Sequence, residues 1–148
     1  MALIERPPLS AAQAVALTNG YAGSNALALG LIEALGLESQ ALIAPRDGPY
    51  HWFAPWGPAD LKARSAPLRD VLRKADILVS VGRTAVPIAA AIKRERGSGL
   101  FAIHLQDPRA RRSDFDLIWA PEHDRLKGAN VISTPTSPHR ITPERIAA

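Results

Sequence analysis

DILVSVGRTAVPIAAAIKRERG, residues 76–97, is the stretch that decides the fold. Its first seven residues are apolar apart from Asp76 and Ser80, show no in-and-out alternation and end at Gly82, so they read as a strand buried on both faces. The rest of the stretch is helical. Thr84 takes the capping position, alanine and isoleucine fill the middle, and Lys93, Arg94 and Arg96 crowd the last turn before Gly97, where they suit the negative end of the helix dipole. A strand without alternation that runs straight into a helix is the repeating unit of a parallel sheet.

The unit recurs in both directions. Upstream, AVALTN (14–19) gives a first strand, and NALALGLIEALG (25–36) a helix capped by Ser24 and ended by Gly36. That helix is apolar on nearly every side except at Glu33 and is expected to be largely covered; Gly30 in its middle costs about 1 kcal/mol against alanine unless it permits close packing. QALIAP (40–45) reads as the second strand. RDGPYHWFAPWGP (46–58) gathers Pro49, Pro55, Pro58 and four aromatic residues into a long Pro/aromatic loop, too broken for regular structure and packed in part on its own domain. APLRDVLRKA (66–75), capped by Ser65, turns Leu68, Val71, Leu72 and Ala75 inward. Downstream, GLFAIHLQDP, FDLIWAP and ANVISTP supply three more strands, and TPERIAA the first turns of another helix. The expected class is α/β: a doubly wound, mostly parallel Rossmann-like sheet of about six strands with helices on both faces, forming one domain over residues 1–148.

Composition narrows the function classes. A chain that is 47% hydrophobic and 22% charged has the balance of a soluble globular domain. No apolar run reaches membrane-spanning length, and MALIERPPLS lacks the apolar core of a secretory signal; the expected location is the cytoplasm, with peripheral attachment at the inner face of a membrane as a further expectation. The absence of cysteine removes disulfides, thiolate metal sites and cysteine nucleophiles. The net charge of +4 is carried mainly by arginine and tilts toward anionic partners, since a guanidinium forks onto phosphate or carboxylate. Nucleic acid gains no support, because neither an RNA-binding aromatic signature nor a zinc finger is present.

In doubly wound sheets ligands bind beyond the carboxyl ends of the strands, where strand order reverses. The expected strands bring Asn19, Gly20, Tyr21, Gly23 and Ser24 to that edge from the first loop, Gly82, Arg83 and Thr84 from the third, Gln106, Asp107 and Arg109 from the fourth, and Glu122, His123 and Asp124 from the fifth. Two readings of the first loop stand side by side: a tight β-α turn, or helix N-terminal N–H groups seating an anion or hydroxyl. In G-x-G-x-x-G register from Gly20, Ala22 and Asn25 replace glycine, so the dinucleotide fingerprint is absent; Arg46 beyond the second strand still suits a ribose phosphate. Arg83 aims a fixed positive charge at the crevice or simply follows its strand. Asp107 either caps the next turn or serves the site. His104, within a strand, reads as a hydrogen-bonded core histidine. His123 beside carboxylates is a candidate general base, whereas three consecutive residues cannot all ligate one ion and no second pair stands at ligand spacing, so no metal is expected. No G-x-S-x-G supports serine chemistry.

Taken together, LTNGYAGSNALALGLIEALGL, ADILVSVGRTAVPIAAAIKR, HLQDPR and FDLIWAPEHDRLKGANVISTPTSPHRITPERI resemble, in order and spacing, the N-terminal half of the Elm-type mitochondrial fission family. That family includes a plant protein that recruits a dynamin-related GTPase to mitochondria and bacterial proteins often labelled nucleoside-diphosphate-sugar epimerases. The resemblance implies the acceptor-side, N-terminal domain of a glycosyltransferase-like protein of the two-domain GT-B type, whose nucleotide-sugar sits in a second domain absent here. It implies a sugar-phosphate or lipid-linked acceptor, no cofactor, and no turnover by the 148-residue chain alone. The family's first loop reads close to D-G-R-A-G-H with a glutamine three residues on; here Asn19, Tyr21, Ser24 and Leu27 stand at those positions. Gly82, Arg83, Pro87, Gln106, Asp107, Pro108, Arg109, Glu122, His123 and Asp124 keep the pattern. The expected roles are His123 or Asp107 as proton acceptor; Arg83 and Arg109 on phosphate; and Asn19, Gly20, Gly23, Ser24, Gly82, Thr84, Gln106 and Glu122 as ligand-binding positions. The alternative is a catalytically decayed adaptor that recruits a protein partner through YHWFAPW, and a missing second domain also predicts self-association through exposed apolar surface.

Overall fold

The computed structural model describes residues 8–46, 48–59 and 66–136. Its centre is a six-stranded sheet made of β1 (Ala14–Thr18), β2 (Ser39–Ile43), β3 (Ile77–Val81), β4 (Phe101–Leu105), β5 (Leu117–Pro121) and β6 (Val131–Thr134). The order is β2-β1-β3-β4-β5-β6 and every neighbouring pair is parallel. The chain therefore steps outward from β1 to β2, returns across β1 to β3, and then advances in one direction. The reversal opens a crevice between the carboxyl ends of β1 and β3.

Helices α1 (Ala22–Ala34), α2 (Pro49–Phe53), α3 (Ala66–Lys74) and α4 (Ala85–Arg96) join the strands. Two buried clusters explain why the central strands carry no polar alternation. Val15, Leu17 and Leu78 face one way, with Leu72 of α3 and Val86, Ala89 and Ile92 of α4. Ala16, Val79, Val81, Ile103 and Leu105 face the other way, with Ala28 and Ile32 of α1. Leu72 and Ala75 are buried and Leu68 and Val71 partly so, matching the inner face expected for α3.

Several local expectations change. α1 begins at Ala22 with Tyr21 at the N-cap, so Ser24 lies in the first turn and caps nothing. The entry is tied instead by Thr18, whose hydroxyl donates to Asn25 Oδ1 and accepts from the Gly20 N–H at 3.1 Å. Gly36, at φ +72, ends α1 as expected: its N–H reaches the Glu33 carbonyl (2.9 Å) and that of Leu37 reaches Ile32 (3.2 Å), a Schellman closure. α1 is covered on one face only. Ala28, Gly30 and Ile32 are buried while Leu27, Leu29 and Leu31 stay partly open, because the helix meets the sheet at its β2-β1-β3 side and nothing among the described residues packs outside it. The 46–58 segment is not wholly irregular, since Pro49 opens the five-residue α2. Trp52, Phe53 and Trp56 in it are exposed rather than packed on the domain. Thr84 is the N-cap of α4 without a side-chain cap bond, and Gly97 closes that helix at φ +53. After β4 and β5 the crossovers hold only the 3-10 turns Arg112–Asp114 and Glu122–Asp124, which leaves β6 half-covered. Ser65 and the TPERIAA segment lie outside the described residues.

Candidate functional site

The residues after β1, β3, β4 and β5 line one cleft of about 680 Å³. Positive φ sets its floor: Gly82 (+93) follows β3 and Gln106 (+80) follows β4, so both chains turn away at the same level. At Gly82 the bare Cα is required, because an added Cβ would stand 2.6 Å from Asn19 Nδ2. The end of β3 and the loop after β1 thus touch at the point where strand order reverses.

Of the residues singled out in the sequence, Asn19, Gly82, Arg83, Gln106, Asp107, Arg109, His123 and Asp124 converge on the cleft. Gly20, Gly23, Ser24, Thr84 and Glu122 lie outside its lining. Gly20 instead packs by Ile43, where a Cβ would be 3.3 Å from Cγ2; Gly23 has open space around it in the first turn of α1; and Glu122 is exposed in its turn. Thr84 is buried and lines a separate small recess with Tyr50, His51 and Pro87. Arg46, which suited a ribose phosphate, lies 5.1 Å over the Tyr21 ring.

The polar groups differ in how free they are. Among the described residues the Arg83 and Arg109 guanidinium groups have neither a hydrogen bond nor an ion pair. Asp107 is committed: Oδ1 accepts the Arg109 N–H at 2.8 Å, and both oxygens accept from Arg112 Nη2 at 3.2 Å. His123 is open to solvent, its side chain 81% exposed, and its Nε2 stands 3.5 Å from Asp124 Oδ1. His104 lies beneath the floor, 1% exposed. Burial lowers its pKa to about 3 against a weaker upward pull from Asp107, so the ring is neutral. The Ser80 hydroxyl donates to the Ile103 carbonyl (3.1 Å), and the 2.8 Å contact of Ser80 Oγ with His104 Nδ1 is therefore made by an Nδ1–H that donates. The core-histidine reading holds, although the same ring also contributes to the cleft.

Sequence reasoning missed the apolar wall, formed by Pro55, Trp56, Pro108, Trp119 and Pro121. Trp119 is the middle residue of β5 and is fixed by its indole N–H donating to Thr134 Oγ1 at 2.7 Å; nothing local distinguishes it from a core residue. Trp56 was signalled by the aromatic crowding in 46–58, yet its place at the cleft depends on Arg111. The Nη2 of Arg111 donates to the carbonyls of Trp56 (3.1 Å) and Gly57 (2.8 Å) across a gap of more than fifty residues in sequence. A second groove, about 880 Å³, opens at the opposite edge of the sheet, but among the described residues its only charged lining residues are Glu38 and Lys74. Among the described residues no three His, Cys, Asp or Glu side chains are placed to share a metal ion, and no helix is long and apolar enough to cross a membrane.

Comparison with known proteins bears on the whole chain. No solved structure matches it. The Mitochondrial fission protein ELM1 of Arabidopsis thaliana is 24% identical over 166 aligned positions, which cover 76% of this chain and 39% of the plant protein. The chain thus spans well under half the length of that curated relative. The family described as Mitochondrial fission ELM1 matches residues 22–148, which take in α1, the third and fourth strand-end loops and the PEHD turn, and the chain belongs to that family.

Proposed function

We propose that the strand-end cleft binds the phosphate of a sugar-phosphate or lipid-linked acceptor, and that residues 1–148 form the acceptor-side Rossmann-like domain of a GT-B-like glycosyltransferase. The observation that carries this reading is the convergence of Arg83 and Arg109, both without partners among the described residues, on one cleft at the strand-order reversal. The N-terminal end of α4, which comes directly after Arg83 and Thr84, adds favourable potential for an anion. His123 takes the proton of the attacking hydroxyl, and Asp124 orients and stabilises the resulting imidazolium. Asp107 shapes the loop that presents Arg109, because its oxygens are already engaged. In this reading the nucleotide-sugar is held by a second domain, the chain alone does not turn over, and the protein works in the cytoplasm.

The probe is glucose 1-phosphate, titrated by NMR or calorimetry into the wild-type chain and into R83A/R109A. The double variant is expected to lose at least about tenfold in affinity, since each charge-assisted hydrogen bond is worth about 1.5–3 kcal/mol. Equal binding by both proteins refutes the cleft assignment. A second reading, a partner-recruiting adaptor, is favoured by the exposure of Trp52 and Trp56 and fits the fission role in the name of the plant relative. It predicts no phosphate binding in either protein.

A further inference from the structure

The segment between β2 and α3 has a property that the cleft chemistry does not use. Trp52, Phe53 and Trp56 are 79%, 62% and 65% exposed, three large apolar side chains within five residues. Apolar surface of that size left in water is unfavourable, and its clustering marks a surface that something else covers. The segment is also held in place. The Gly57 N–H donates to the Phe53 carbonyl at 2.7 Å, and Gly57 fits so closely that a Cβ would lie 2.5 Å from Phe53 Cβ. Arg111 fastens the Trp56 and Gly57 carbonyls from the other side, and Ala54 and Pro55 are buried beneath. The aromatic rings therefore stand on a fixed base, and Trp52, the most exposed, lines none of the recesses described above.

Charge in the adjoining cleft comes from two unpartnered guanidinium groups and one carboxylate, Asp124, whose only contact among the described residues is His123 at 3.5 Å, which leaves the cleft net cationic. Trp56 shares the cleft with the unpartnered Arg83 and Arg109, while Asp107 in the same cleft is matched by Arg112. Residues 48–59 themselves carry no Asp, Glu, Lys or Arg. Indole and phenyl rings projecting without a receiving groove, next to free guanidinium groups, suit the headgroup layer of an anionic bilayer, where rings sit at the interface and arginines meet lipid phosphates. We propose that α2 and the turn behind it form a membrane-docking platform that inserts Trp52 and Phe53 into an anionic lipid surface and lays the cleft mouth against the headgroups. The proposal draws on the same two guanidinium groups as the acceptor reading and rests on it to that extent, whereas Trp52 and Phe53 lie outside the cleft lining and are tested separately.

The test uses the 148-residue chain with vesicles of phosphatidylcholine alone and of phosphatidylcholine mixed with phosphatidylglycerol. The chain is expected to sediment with the phosphatidylglycerol vesicles, to be released by raised salt, and to show tryptophan emission shifted to shorter wavelength. W52S/F53S is expected to lose about tenfold or more of that partitioning with an unchanged melting temperature, since both side chains are exposed. Brominated lipids should quench wild-type emission; Trp119 is buried, so quenching reports Trp52 and Trp56, and this reading needs no variant to fold. The proposal is overturned by a wild-type chain that stays in the supernatant or goes unquenched, or by a folded W52S/F53S that binds as tightly as wild type, which assigns binding to the arginines alone. It is equally overturned if light scattering shows self-association that W52S/F53S abolishes while vesicles bind neither protein, since the patch then belongs to a second copy.

Discussion

Gly82→Ala tests the geometry that joins β1 to β3 at the cleft. Two costs can be separated. The first is conformational: Gly82 holds φ +93, a region that L side chains avoid, and an alanine forced there costs about 1–2 kcal/mol. The second is steric: the new methyl would meet Asn19 Nδ2 at 2.6 Å and Cγ at 2.8 Å. The amide must swing away, which breaks its 3.3 Å acceptance from the Tyr21 N–H and costs about another 1 kcal/mol. Together they predict about 2–3 kcal/mol of destabilisation and a fall in melting temperature of roughly 5–10 °C for a domain of this size. Urea unfolding of wild type, G82A, N19A and N19A/G82A closes a double-mutant cycle. Removing the Asn19 amide should cost about 1 kcal/mol in wild type, where its bond to the Tyr21 N–H is intact, and almost nothing in the G82A background, where that bond is already broken, a coupling of about 1 kcal/mol. A G82A protein within about 0.5 kcal/mol of wild type, or a cycle without coupling, refutes the argument that this glycine exists to let the two strand ends meet.

Buried His104 and half-buried Arg96 give two further expected outcomes. His104 has a folded pKa of about 3, below its unfolded value of 6.5, so the unfolded chain binds more protons between these limits. Its contribution is full above pH 6.5 and is lost as pH falls toward about 3, at a slope near 1.4 kcal/mol per pH unit; H104Q should flatten that part of the stability profile measured by urea unfolding. Arg96→Ala removes the guanidinium that donates to the carbonyls of Arg73, Ala75 (3.1 Å) and Gly99 (2.8 Å), leaving the end of α3 short of partners; a loss of about 1–3 kcal/mol in the same assay is expected, and an unchanged midpoint contradicts that role.

The parallel sheet was legible because its strands are buried on both faces. DILVSVG and FDLIWAP show continuous apolar character rather than alternation, and each ends where a glycine or a polar turn begins. The strand-end residues could be placed from that topology alone, which is why Asn19, Arg83, Asp107, Arg109 and His123 meet in one cleft. Helix entry was less legible. Ser24 has the preferred chemistry of a cap, but Thr18 and Asn25 already tie the turn two residues earlier, so the helix starts ahead of it. The apolar wall was illegible for another reason: Trp56 reaches the cleft through a bond to Arg111, a contact distant in sequence that no local pattern encodes.

The loop after β4 shows how the cleft is held open without a helix behind it. Gln106, Arg109 and Arg111 all have positive φ, at +80, +62 and +56, and each such non-glycine residue costs on the order of 1–3 kcal/mol unless its surroundings fix it. The surroundings do so at each point. The Gln106 N–H donates to the Trp119 carbonyl at 2.6 Å, Asp107 holds the Arg109 N–H and the Arg112 guanidinium, and Arg111 is pinned to the aromatic segment. Asn130 closes the far end by donating to the carbonyls of Arg112 (3.0 Å) and Phe115 (2.9 Å). Asp107 therefore belongs to the frame, and the strain it helps hold is concentrated in the two residues, Gln106 and Arg109, that line the cleft. A relaxed turn would reach from β4 to β5 at lower cost, and the retention of a strained one where a free guanidinium is presented is the physical reason to look for the ligand at Arg109 and not at the glycines of the first loop.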